Sequence, residues 1–559
     1  MECSVCGRKI IEPRVNLSPT ELAELKTILR LEFGPFVVNP VRAEELKRTL
    51  ALADKDIEDI ESNVVCLRDQ QRLEHQRATL RSILSGMRRL PNETLLRIFE
   101  YVCDENVLQN YPLYDSDSER STKLTPPMTI AHLPTMAVSS VCSRWRELAL
   151  SSPSLWAGLT VKTLITTFNN QATSLLGFIS TLDLFLTRSS DWPLRLAVEI
   201  RGDTWEIEPI EPISLTHLTR HSHRWKIFKH RGTYLLTDYE TLSNLQCPSL
   251  TELDINSDGY WVASTDLDCF EHSPRLRALA LNRIPQDKSK IPYHQLDHAD
   301  FVINSSGALE EVLRKCPSLK SFELQLEHYH SEPSLSVIPG TWRDITSIVI
   351  REYHEQSCSE LVFPSFSFPS LNVLQVERLG SIEQMPSKPT DWPGSAFISF
   401  VCRSCCMITT FTIRGISLSD LDLIGALRVM PSLLHLEIDN EVWHMKQQNP
   451  ITLPLISSLT PRQSSNSVIS LVPKLHSLRL LFDGTTFYDR AFVSMIQSRW
   501  FKPGSDLHTA NSRTGISCIR SVVLRFSRRE VNVEVYKPLR VLDEDGLRVV
   551  VIGTNGVQI

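Results

Sequence analysis

At 559 residues the chain is longer than one compact core, so two or more domains or one elongated repeat domain are expected. With 42% hydrophobic and 22% charged residues it is a folding sequence, not a disordered one. A net charge of −6 gives no global basic field, so nucleic acid is not expected as the main partner.

The N-terminus, MECSVCGRKI, lacks the apolar stretch of a signal peptide. Pro13, Pro19, Pro35 and Pro40 interrupt residues 1–40, which read as an irregular lead. Cys3 and Cys6 form half of a zinc site, but no second pair at ligand spacing follows, so no metal is expected. The thirteen cysteines follow no framework spacing, which points to reduced thiols in cytosol or nucleus.

Residues 41–86 form a helical, coiled-coil-like segment. Leu46, Leu50, Ala53, Ile57, Ile60, Val64 and Leu67 step by alternating fours and threes, as a heptad seam does. A homodimeric coiled coil and an antiparallel hairpin within the chain both satisfy that pattern.

In MRRLPNETLLRIFEYVCDEN, Pro91 suits a first helical position. Leu95, Ile98, Phe99 and Val102 then make an i, i+3, i+4, i+7 stripe, with Leu96 and Cys103 on the neighbouring face. Residues 104–134 read as loop, and helical spacing resumes over 136–150 before SSPSLW. The most apolar run, Ser174 to Leu186, is broken by Asp183 and too short to span a bilayer, so no membrane is expected.

From about residue 190 the texture changes. A template L-x-x-L-x-L recurs at Leu250/Leu253/Ile255, Leu276/Leu279/Leu281, Leu319/Phe322/Leu324 and Ile345/Ile348/Ile350. It continues at Leu371/Leu374/Val376, Ile408/Phe411/Ile413, Leu433/Leu436/Ile438, Leu475/Leu478/Leu480 and Ile519/Val522/Leu524. Pro248, Pro274, Pro317, Pro369, Pro431 and Pro473 stand two residues before a first position. The second and third positions point to one side of a strand, and the first anchors the turn entering it. Stacked copies bury a core that no single copy can. First positions are spaced 26, 43, 26, 26, 37, 25, 42 and 44 residues. About 26 fits a leucine-rich repeat, and the longer intervals need an insertion or a missed copy. Helix-like stretches such as SGALEEVLRKC and LSDLDLIGALRVM lie between copies.

Other candidates read as structure. Cys402, Cys405 and Cys406 precede a strand and read as core. TRHSHRWKIFKHRG reads as an amphipathic strand with Trp225 and Phe228 inside and its basic residues solvated. YDSDSERS reads as a solvated loop that could accept phosphate. No nucleotide-binding or hydrolase motif occurs, so neither a cofactor nor a catalytic residue is expected.

LPNETLLRIFEYV followed by VCSRWRELALSSPSLW resembles the F-box. The matching residues are Leu90, Pro91, Glu93, Leu95, Leu96, Ile98 and Phe99, then Val141, Cys142, Trp145, Arg146, Leu148 and Ala149, then Pro153, Leu155 and Trp156. The inserted segment 104–134 departs from the compact motif. With the helical lead and degenerate repeats, the layout resembles the large F-box group of mushroom-forming fungi. About 70 residues carry the specific motif.

The resemblance implies a non-catalytic subunit of a Skp–cullin–F-box ubiquitin ligase. It would dock on a Skp-type adaptor, reach the cullin scaffold indirectly, and present a protein substrate held by its repeats. The adaptor surface it implies comprises Leu90, Pro91, Leu95, Ile98, Phe99, Val141, Cys142 and Trp145, some of which must serve the small domain's own core. The alternative is a scaffold that binds the adaptor or other proteins without ligase function. The expected architecture is an all-α N-terminal part, with a three-helix F-box-like domain over 87–160. A leucine-rich-repeat-like α/β solenoid with a parallel sheet follows over 190–559.

Overall fold

The structure is a computed structural model. It describes residues 14–31, 39–63, 67–109, 132–165, 172–202, 211–232, 236, 239–243, 245–257, 267–282, 289–303, 306–326, 340–353, 358–379, 392–440, 449–464, 467–501 and 515–556. Cys3, Cys6 and YDSDSERS lie outside them. The chain forms two compact units, Met1–Leu250 and Thr251–Ile559.

The first unit opens with three helices, α1 (Pro19–Leu31), α2 (Pro40–Asn63) and α3 (Leu67–Leu84). The lead is therefore not irregular throughout. Ser18 and Glu21 cap α1 reciprocally: the Ser18 amide donates to Glu21 Oε2 at 2.8 Å, and the Glu21 amide to Ser18 Oγ at 3.2 Å. This is a capping box, with Pro19 placed where a missing N–H costs nothing. The first half of the heptad seam, Leu46, Leu50, Ala53 and Ile57, is covered within the chain, while the side chains of Ile60, Val64 and Leu67 lie outside the description. Leu46 packs with Leu25 of α1 and with Leu80 and Ile83 of α3, and α2 packs along α3 as a hairpin. Asp56, 1% exposed, ties residues Arg14 and Val15 to α2, accepting from the Val15 amide at 2.9 Å.

Next come α4 (Asn92–Val102), α5 (Pro134–Ser140) and α6 (Ser143–Leu150). The helical spacing over 136–150 is thus two helices, broken at Cys142, whose backbone is extended. Among the described residues four parallel strands share this unit: β1 (Asn106–Gln109), β2 (Gly158–Ile165), β3 (Leu194–Gly202) and β4 (Trp225–Gly232), hydrogen-bonded in that order. The crossovers between β2 and β4 use α7 (Ala172–Arg188) and α8 (Ile213–Thr219).

Parallel pairing therefore begins well before residue 190, and inside the segment read as loop. Asn106 stands opposite Leu159, and Leu108 opposite Val161. Leu196 and Val198 continue those rows, facing Phe228 and His230. Trp225 and Phe228 are buried as expected, and Lys226 and Arg231 are exposed, but Arg224 (6%) and His230 (1%) are buried, so the basic residues of this segment are not all solvated.

In the second unit eleven strands run parallel among the described residues: Glu252–Ser257, Ala278–Leu281, His298–Ile303, Ser321–Leu326, Ser347–Tyr353, Val373–Leu379, Thr410–Arg414, His435–Asp439, Ser477–Phe482, Ser521–Phe526 and Arg548–Ile552. All nine sequence templates lie on them or at their entries, and every residue of each template is buried. The second positions form one continuous row, for example Phe322, Ile348, Leu374, Phe411, Leu436, Leu478 and Val522. Burying one such side chain is worth about 1.5–3 kcal/mol, so each three-residue template contributes only in a stack.

Two of the four longer intervals have separate explanations. The interval of 43 hides a copy at Leu296/Ala299/Phe301, where alanine occupies the second position between Leu279 and Phe322. The interval of 42 contains an antiparallel hairpin, Arg462–Ser464 with Ser467–Ile469. SGALEEVLRKC forms Ser306–Lys315 and LSDLDLIGALRVM forms Asp420–Arg428, whose N-cap Ser419 accepts from the Asp422 amide. The core reading of the cysteine trio fails: Cys402 and Cys405 are exposed and Cys406 is half-buried. Cys405 adopts the left-handed backbone that ends the helix Gly394–Ser404, which turns it away from the core. No helix among the described residues is long and apolar enough to cross a membrane.

Candidate functional site

The residues singled out by sequence gather in the small helical unit of α4, α5 and α6. Pro91 precedes α4 with an extended backbone. Along α4, Leu95 and Phe99 are one turn apart and turn inward, 0% and 1% exposed, followed by Cys103 at 2%. α4 packs on both α5 and α6. The Phe99 ring meets Trp145 of α6 at a centroid distance of 4.8 Å. Val138, Leu148 and Ala149 complete this core.

Arg144 clamps the entry of α4. It is 6% exposed, and its guanidinium donates to the carbonyls of Arg88 (3.1 Å) and Leu90 (2.6 Å) and to Asn92 Oδ1 (2.7 Å). One charged fork thus fixes the chain on either side of Pro91, a geometry that a lysine cannot reproduce. On the far side, Trp156 Nε1 donates to the Ala149 carbonyl at 2.7 Å, and Arg188 lies 4.5 Å over the Trp156 ring.

Asn106 joins the helices to the sheet. It is 0% exposed at an inward strand position where its neighbours are aliphatic. Its Nδ2 donates to the carbonyls of Cys103, Leu155 and Gly158 at 3.2–3.4 Å, and its Oδ1 accepts from the Thr135 amide at 3.2 Å. A Cβ on Gly158 would meet the Asp104 carbonyl at 2.5 Å, so the two backbones approach closely here. Sequence reasoning missed Asn106. Cys103-x-x-Asn106-x-Leu108 follows the repeat template with a polar second position, which hides it from an apolar search.

With the core filled, the eight sequence-derived candidates separate. Leu95 and Phe99 are core and offer no surface. Leu90, Cys142 and Trp145 are half-buried. Pro91 is exposed, and so are Ile98 (38%) and Val141 (59%). Tyr101 at 90% and Val102 at 52% extend the same outer face of α4. The sequence stripe contained Val102 but left Tyr101 out. Ile98, Tyr101 and Val102 thus leave apolar surface in water on a unit that already has its own core.

The open side of the second unit's sheet carries charge instead. Arg351 reaches Asp300 at 2.7 Å, Glu377 at 3.3 Å and Glu323, and Arg414 bridges Glu377 and Glu437. His298 lies 2.9 Å from Ser321 Oγ, but its other nitrogen is 3.9 Å from Glu323, which Arg351 already holds. His298 is thus within hydrogen-bond reach of Ser321, while Glu323 is too far to hydrogen-bond the imidazole and pairs with Arg351 instead.

Compared with protein-family models and with the curated proteins, the chain matches none.

Proposed function

We propose that the chain is the substrate-receptor subunit of a Skp–cullin–F-box ubiquitin ligase, of the kind found in the large F-box group of mushroom-forming fungi. Helices α4–α6 serve as the F-box, and the parallel strands serve as a leucine-rich-repeat receptor. The observation that carries this reading is the exposed apolar set Pro91, Ile98, Val102 and Val141, on a unit whose core is already closed by Leu95, Phe99 and Leu148. It coincides with the stretch whose sequence resembles the F-box. The adaptor takes up that face, the cullin is reached through the adaptor, and a protein substrate is held elsewhere on the chain. The chain itself makes and breaks no bond. It raises the local concentration of a substrate lysine near the charged conjugating enzyme.

The test is co-purification of Skp-type adaptor and cullin with the full chain. Ile98→Asp with Val141→Asp places two charges on the outer face without touching the core, and is expected to abolish adaptor capture while the melting temperature stays within a few degrees. Undiminished adaptor capture by that variant sinks this assignment of the surface. Capture of adaptor without cullin supports the scaffold alternative.

A further inference from the structure

The open face of the second unit's sheet changes character along the strand order. In the row that begins the strands, His298 stands opposite Ser321 toward one end. At the other end His435, Ser477, Ser521 and Arg548 follow one another on neighbouring strands. The residues next to these four, Leu436, Leu478, Val522 and Val549, are buried, so by alternation the row faces outward. His298 has the carboxylate of Glu323 at 3.9 Å. The far end has cations without such an answer.

Among the described residues neither Arg520 nor Arg548, both exposed, makes an ion pair or a side-chain hydrogen bond. The Arg520 amide donates to the His476 carbonyl at 2.7 Å, and the Arg548 amide to the Arg520 carbonyl at 3.0 Å. Three basic residues thus occupy consecutive strand entries, and exposed Lys474 shares the first of these turns. Burial, and after it the charges of Arg520 and His435, push the His476 imidazole below its usual value. The hydroxyls of Ser477 and Ser521, half-buried in the same row, have no partner among the described residues. Nearby Arg479 is not free, since it lies 3.8 Å from Glu437, which Arg414 holds at 3.0 Å. The nearest acids in the chain, Asp543 to Asp545, end the helix Val533–Glu544, where Asp543 accepts from the Val549 amide at 2.9 Å.

We propose that these strand entries bind a short acidic segment of a protein partner. Its carboxylates lie over Arg520 and Arg548 and accept from the hydroxyls of Ser477 and Ser521. Neighbouring strands stand about 4.8 Å apart, so the row from His435 to Arg548 spans roughly 14 Å, the reach of about four extended residues. Toward the middle of the same face stand Glu437, Glu377 and Glu323, each already shared with an arginine. A peptide can confine its acids to one end and set neutral residues over those carboxylates, whereas a nucleic acid presents a phosphate at every step. This assignment rests on the receptor reading in that it names the class of substrate, but its binding assay needs no adaptor.

The experiment uses full-length protein and a fluorescein-labelled decapeptide with four consecutive glutamates at its centre, followed by fluorescence anisotropy. Binding is expected at 50 mM salt and weaker binding at 300 mM. Arg520→Glu with Arg548→Glu is expected to weaken it at least tenfold, while adaptor co-purification is retained. Ser477→Asp with Ser521→Asp, which puts negative charge into the row itself, is expected to do the same. Arg490→Glu with Arg540→Glu makes an equal change of net charge at exposed positions of the helices Asp489–Arg499 and Val533–Glu544, and is expected to leave affinity unchanged. The proposal is overturned if the peptide does not bind, or if a version with glutamines in place of the glutamates binds equally well. It is overturned as well if both strand-entry variants leave affinity unchanged, if the helix variant weakens binding as much as they do, or if a single-stranded oligonucleotide of equal charge binds more tightly. Loss of adaptor capture with peptide binding intact counts against the F-box reading alone.

Discussion

The indole of half-buried Trp145 meets the buried ring of Phe99 at 4.8 Å with an interplanar angle of 58°. That contact divides α4 into two functional sides. Phe99 and Leu95 hold α4 to its neighbours, and Ile98, between them in sequence, faces water. Phe99→Ala is expected to destabilise the unit by about 3–5 kcal/mol, the cost of emptying an aromatic core site. Ile98→Ala is expected to cost under about 1 kcal/mol. Chemical denaturation of both variants checks the difference, and equal losses would show that the two sides are wrongly assigned.

Arg144 is expected to matter through its neighbours' carbonyls. Arg144→Met keeps the stem but leaves half-buried acceptors on Arg88 and Leu90 without this donor. An unsatisfied buried group costs about 1–3 kcal/mol, so a loss of that order is expected, together with faster amide exchange in the first turn of α4. Arg144→Lys is expected to recover only part of it, because an ammonium cannot span three acceptors as a planar fork does.

His230 gives the first unit a pH dependence. It sits at an inward position of β4 opposite Val198, 1% exposed, and neither ring nitrogen has a hydrogen-bond partner among the described residues. Burial pushes its pKa down from 6.5 to about 4. The unfolded chain therefore takes up a proton near pH 6.5, while the native chain does so only near 4. Stability is whole above pH 6.5 and declines as pH falls through that window, by up to about 3 kcal/mol. His230→Leu removes this contribution. Urea midpoints at pH 7 and pH 4.5 are expected to differ less in the variant than in the parent, and equal differences would refute the assignment.

Ala299 occupies a second position of the second unit's inward row, between Leu279 and Phe322. Ala299→Leu restores the repeat consensus but is expected to destabilise by about 1–3 kcal/mol, because the neighbouring layers have closed around a small residue. Leu374→Ala, in the same row, is expected to cost about 2–5 kcal/mol through the cavity it leaves. A thermal melt in which Ala299→Leu is stabilising would show that the layer is underpacked.

Much of the fold is legible in the sequence because it rests on periodic apolar burial. The nine templates mark strands whose rows pair in register, and the α2 seam marks a helix that buries one face. The Ser18-x-x-Glu21 capping box was present as a signal for α1 but lay among prolines. Asn106 and Ala299 escaped because each breaks the apolar pattern for a reason supplied by distant residues: three carbonyls around one, a large aromatic beside the other.

What the sequence determined by itself is which residues are apolar, at what period, and therefore the parallel repeat architecture and the place of the small helical unit. It could not decide which side of α4 remains in water. Leu95, Ile98 and Phe99 are equally apolar, and spacing alone cannot say which of them α5 and α6 cover. Nor could it say whether the first half of the α2 seam is filled by α1 and α3 or by another chain, since each supplies the same kind of apolar face. Those outcomes depend on contacts between segments far apart in the chain, and only the tertiary structure brings them together.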